Sequence, residues 1–123
     1  MSKKIAEAAK RIAAGSDEKL EIGDISVIKE WAFAGDIVKA VWALVNQDAI
    51  HEAVLGSGLG YSIEDWLAAC FSIVSLDWKD HVILKNDFTP EYKLLVSDPA
   101  LIQSTGWKPE VSFHQLAQMM MNV

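Results

Sequence analysis

The sequence predicts an α+β fold of about five helices and three or four short strands, in one domain spanning residues 1–123. Three observations point there. Five segments repeat apolar residues at helical spacing behind capping residues, and several short apolar or alternating runs lie between turn residues. A chain of 123 residues with 51% hydrophobic and 23% charged side chains also suffices for one core and falls short of two.

Lys3 to Ala14 sets Ile5, Ala8, Ala9 and Ile12 on one side against Lys, Glu and Arg, with Gly15 as a stop, which predicts an amphipathic helix. Leu20-Glu21-Ile22 before Gly23-Asp24 predicts a brief strand and turn. Asp36 suits a helix start, and Ile37, Val38, Val41, Leu44 and Val45 recur at helical spacing, so this run is expected to form a buried helix. Just ahead of it, Trp31 and Phe33 admit two readings: a wall beside a pocket, or core residues leading into the helix. His51-Glu52-Ala53-Val54-Leu55 predicts a strand running into the glycine-rich loop Gly56 to Gly60. Ser62 then caps a helix with the stripe Ile63, Trp66, Leu67, Cys70, Phe71 and Val74, and Asp65 is favourable in its first turn.

The second half is more broken. Asp77 to Asp80 predicts a polar turn around Trp78, His81 to Lys85 a strand, Asn86 to Pro90 a loop and Glu91 to Val96 an extended segment. Asp98-Pro99 opens a helix, because the carboxylate accepts from free N–H groups while proline has none; this helix is expected from Pro99 to about Ser104, with Gly106 as its stop. Ser112 with Gln115 forms a capping box before Phe113, Leu116, Ala117 and Met120.

A net charge of −6 with scattered basic residues argues against nucleic acid and against an anionic membrane surface. Cys70 is the only cysteine and sits in an apolar run, which predicts a buried, inert thiol and fits a cytoplasmic setting. Met-Ser-Lys-Lys-Ile-Ala-Glu carries no apolar signal-peptide core, and no segment approaches ~18 uninterrupted apolar residues.

The residues alone offer no catalytic constellation. Gly56-x-Gly58-x-Gly60 lacks the spacing of a dinucleotide fingerprint and reads as a flexible turn. His51, His81 and His114 show no metal-ligand spacing, Glu64 and Asp65 point different ways on a helix, and no serine sits in a nucleophile elbow. Met119-Met120-Met121 reads as a helix face or terminus.

A resemblance covers nearly the whole chain. Lys3-Lys4-Ile5, Leu20-Glu21-Ile22-Gly23-Asp24, Lys29-Glu30-Trp31-Ala32-Phe33-Ala34-Gly35-Asp36, Tyr61-Ser62-Ile63, Ser97-Asp98-Pro99 and Gly106-Trp107-Lys108-Pro109 follow one another in order. Together they resemble blocks in the carboxy-terminal part of GDP-mannose 4,6-dehydratases, members of the extended short-chain dehydrogenase (NAD-dependent epimerase/dehydratase) family. The fold then reads as a truncated C-terminal, substrate-binding lobe of such an enzyme. In that family the NADP-binding glycines and the catalytic Thr/Ser and Tyr-x-x-x-Lys set lie in the first half, so the resemblance implies no hydride transfer by this chain and no resident cofactor. It also implies that the helix Asp36 to Gln47 and the strand Glu52 to Leu55 lack the sheet they pack on, leaving apolar faces and a strand edge that association would cover. A homo-oligomer is therefore expected.

Residue by residue, the resemblance places Lys4 and Lys29 where basic residues reach the nucleotide-sugar. A lysine keeps the charge but loses the guanidinium fork; the other reading of both is a solvated lysine. Phe88-Thr89-Pro90-Glu91-Tyr92 is similar to Phe-Arg-Pro-Ala-Glu, so Thr89 and Tyr92 stand where an arginine and a glutamate hold the nucleotide. Three functional expectations follow: a non-catalytic lobe that binds a nucleotide-diphosphate sugar, a self-associating structural module without a ligand, or one half of a split enzyme that needs a separately encoded dinucleotide-binding partner.

Overall fold

The computed structural model describes residues 1–122. Helix α1, Ser2–Ala13, buries the predicted stripe Ile5, Ala8, Ala9 and Ile12 and Ala6 besides, and Gly15 follows it with φ +104°. Helix α3, Ile63–Ile73, starts at a full capping box: Asp65 N–H donates to Ser62 Oγ at 3.0 Å, and Ser62 N–H donates to Asp65 Oδ2 at 2.8 Å. Helix α5, Phe113–Asn122, has the expected box too, with Ser112 N–H donating to Gln115 Oε1 at 2.8 Å. These three helices pack on one another around Trp66, Leu67, Cys70, Phe71, Phe113 and Ala117, and this layer is the main core.

Two small sheets lie against that layer. Strand β1, Leu20–Ile22, pairs in parallel with β4, Val82–Leu84, setting Leu20 beside Val82. Strand β2, Ile28–Glu30, runs between β3, Gly60–Ser62, antiparallel to it, and β5, Leu94–Leu95, parallel to it. Only three residues long, β2 escapes a reading based on alternation. Trp78–Asp80 forms a single 3-10 turn, with Lys79 N–H donating to Asp77 Oδ1 at 3.0 Å.

Four expectations need correction. Helix α2 runs Ala34–Val45 behind Phe33, and Asp36 lies inside its first turn without capping it. The Asp36 carboxylate instead accepts from the N–H groups of Glu110 and Val111, at 3.0 and 2.9 Å. The helix is also buried on one side only. Ala40, Ala43 and Leu44 pack on Ile102 and Trp107 with Ala53 and Leu55, in a second cluster apart from the main core, while Val38, Val41, Trp42 and Val45 are exposed. An all-round apolar helix is buried only where a layer covers both sides, and the described residues supply one. Residues 51–55 form no strand; the strand comes after the glycines, as β3, where β2 offers a pairing edge. Helix α4 is shorter than expected, Ala100–Gln103, although Asp98 Oδ1 does accept from Ala100 N–H at 3.1 Å and Gly106 has φ +91°.

Candidate functional site

The turn after β1 and the loop before β5 face each other across a groove of about 310 Å³. Its floor is Ile22, Val27 and Ile63, and its polar groups are Lys29, Asp24 and Glu91. Phe88, Pro90 and Tyr92 form the opposite wall. The approach of this wall requires glycine at position 23, because a Cβ there would stand 2.6 Å from the Phe88 ring. Asp24 is held by Ser26: its Oδ1 accepts from Ser26 N–H at 2.8 Å and from the Ser26 hydroxyl. These two bonds, the hydroxyl's first, hold the Asp24 carboxyl below its usual range, so it stays ionised at the mouth of the groove.

Lys29 projects from β2 with its Nζ 4.8 Å from the centre of the Trp31 ring. That ring is fixed in turn. It stacks on Trp66 at 4.6 Å between centroids with planes 9° apart, and its Nε1–H donates to Tyr61 O at 3.2 Å. Trp31 thus packs on the core, as one of its two readings has it, with Lys29 near its ring, and it does not line the groove.

On the far side of Phe88 lies a second hollow, lined by Lys4, Glu21, Lys85 and Asp87. Lys4 Nζ donates to Glu21 O at 3.0 Å, and Lys85 pairs with the Glu21 carboxylate at 3.0 Å. The structure thus brings Lys29 and Tyr92 into one groove, sets Lys4 next door, and leaves Thr89 exposed in the loop, lining neither. Sequence reasoning missed Asp24 and Glu91. The first had a signal, an acid directly behind the Gly23 turn; the second is brought in only by the loop's path.

The glycine-rich loop is not a free turn. Glu30 reaches into it from β2, and its Oε1 accepts from Gly58 N–H and from Ser97 Oγ, the latter at 2.8 Å. A Cβ on Gly56 would collide with the same carboxylate. A loop already filled by an anion does not fit a dinucleotide pyrophosphate. Among the described residues, no group of three His, Cys, Asp or Glu is placed to hold a metal ion, and no helix is long and apolar enough to cross a membrane.

A profile of the GDP-mannose 4,6 dehydratase family matches residues 1–120. The chain belongs to that family. It is 36% identical over 125 residues to GDP-mannose 4,6 dehydratase 1 of Arabidopsis thaliana, covering 99% of this chain and 35% of the relative. The second Arabidopsis enzyme is 34% identical, with 34% of its length covered. The chain therefore spans about a third of the length of the curated dehydratases it matches. Among solved structures, extended short-chain dehydrogenases share the fold. RMD of Pseudomonas aeruginosa, complexed with NADPH, superposes with a TM-score of 0.82 at 23% identity, over 97% of this chain and 41% of that one. UDP-glucose 4-epimerase of Thermotoga maritima, with UDP-glucose, reaches 0.78 at 18% identity, over 96% of this chain and 38% of that one.

Proposed function

We propose that this member of the GDP-mannose 4,6-dehydratase family binds a nucleotide-diphosphate sugar and does not itself catalyse hydride transfer. The groove between β2 and the Phe88–Tyr92 segment carries the reading. It joins one cation, Lys29, to two carboxylates, Asp24 and Glu91, above an apolar floor and beside the Tyr92 ring. Lys29 suits a phosphate, the carboxylates suit sugar or ribose hydroxyls, and the ring offers a face for a base or sugar. The names of the curated relatives supply the ligand class, GDP-mannose. The non-catalytic part rests on the sequence. Asp65 and Val96 stand four residues after Tyr61 and Tyr92, so neither tyrosine has a lysine at that spacing.

Calorimetric titration with GDP and GDP-mannose tests the proposal. Saturable binding is expected, and Lys29→Ala should weaken it about tenfold to a hundredfold, the effect of one charged hydrogen bond. Absence of heat at millimolar ligand, from folded protein, would overturn it.

A further inference from the structure

The lysines around the groove and its neighbouring hollow are not equally available. Lys4 Nζ donates to Glu21 O at 3.0 Å, and Lys85 is neutralised by the Glu21 carboxylate at 3.0 Å. Lys29 differs. Among the described residues it makes no ion pair and no side-chain hydrogen bond, and its Nζ stands 4.8 Å from the centre of the Trp31 ring. A ring face holds an ammonium without cancelling its charge, which a carboxylate cannot do.

The local sequence builds this pairing. Alternation along β2 sets Val27, Lys29 and Trp31 on one face, with Val27 in the groove floor, while Glu30 reaches the other way into the 56–60 loop. Lys29 lines the groove on one side and, together with Trp31, a shallow hollow of about 300 Å³ on the other. It therefore stands on the rim between them. The ring below it is fixed against rotation by its stack on the fully buried Trp66, by the edge of Phe113 at 6.1 Å, and by the bond from its Nε1–H to Tyr61 O. Tyr61 is also the residue paired with Lys29 across β2 and β3, so ring and lysine are registered to the same rung of the sheet.

We propose that Trp31 is a positioning residue for phosphate recognition: without touching the ligand, it holds the Lys29 ammonium at the rim of the groove. A free lysine stem has rotamer entropy that a ligand must remove on binding, and a ring face under the ammonium removes part of it beforehand. The donors that point away from the ring stay available to an anion. This role rests on the groove's binding a sugar nucleotide, as proposed above, and adds to that site a residue that does not line it.

Calorimetric titration of GDP-mannose into the parent chain, Trp31→Leu, Lys29→Ala and the double variant, each shown to be folded by circular dichroism, tests it. Trp31→Leu is expected to weaken binding about twofold to fivefold, the worth of an exposed cation–π contact. Trp31→Phe keeps a ring face and should recover most of that loss. In the Lys29→Ala background Trp31→Leu should cause no further loss, because the cation it serves is gone; a residue that only supported the fold would weaken binding equally in both backgrounds. A second readout needs neither ligand nor variant. In the parent's NMR spectrum the ε-methylene protons of Lys29 should lie upfield of those of lysines that face no ring, so the contact is decided even if Trp31→Leu does not fold. Equal affinities of parent and Trp31→Leu, an equal loss in both backgrounds, or Lys29 protons without upfield displacement would each overturn the proposal and leave the groove reading standing. Absence of saturable binding by the parent would overturn the groove reading, and this role with it.

Discussion

The Trp107 indole N–H donates to the main-chain carbonyl of Asp36 at 3.0 Å, while the Asp36 carboxylate accepts from the N–H groups of Glu110 and Val111. One residue in the first turn of α2 thereby ties that helix to the segment leading into α5.

Asp36→Ala removes the acceptor and strands two N–H groups in a part-buried site, which should lower the unfolding free energy by about 3 kcal/mol in urea titration. Asp36→Asn keeps an acceptor oxygen in place and loses only the charge, so it should cost about 1 kcal/mol. Equal losses for the two variants would show that the hydrogen bonds are not what holds the helix.

The stacked indoles of Trp31 and Trp66 should give an exciton couplet in the far-ultraviolet circular dichroism spectrum. Trp31→Phe should abolish it and cost about 1 kcal/mol beyond the area lost. Trp66→Ala, at a fully buried position, should cost about 3–5 kcal/mol.

The Glu30 carboxylate holds the 56–60 loop through Gly58 and Ser97. Glu30→Ala should speed hydrogen exchange at the Gly58 amide and leave the α3 amides protected. Exchange unchanged at Gly58 would mean that the loop needs no clasp.

Burial pushes the Cys70 thiol up to about 12, against a smaller opposing pull from Lys10. The folded state therefore favours the neutral thiol. Its contribution to stability is complete below the unfolded value near 9 and is lost as pH rises from there toward 12. Cys70→Ala should flatten the decline of the urea midpoint between pH 9 and pH 12 relative to the parent chain. A thiol reagent at pH 8 should label Cys70 only after unfolding.

The parts of the fold that sequence made legible are those whose signal is local. Helices α1, α3 and α5 each combine a helical stripe with a cap or stop within one stretch, and β1 is framed by its own turn. The misplaced parts depend on distant residues. Nothing near Val38 or Trp42 says whether a second layer covers them, since exposure is decided by what the rest of the chain provides. Strand β2 exists because Leu94 and Ser62 come alongside Ile28, and Glu30 found its role only when the 56–60 loop folded over it. The groove was half legible: resemblance picked out Lys29 and Tyr92, while Asp24 and Glu91 entered through the path of two loops.

The parallel pairings of Leu20 with Val82 and of Ile28 with Leu94 have a consequence in time. Contacts this distant in sequence form only after long loops close, whereas each helix forms within its own stretch. As the chain leaves the ribosome, β1 and β2 emerge well before the segment that must lie beside them. The groove's wall, which includes Phe88 and Tyr92, can be laid down only when that later segment arrives. The groove thus closes only after β1 and β2 have waited for a segment made much later.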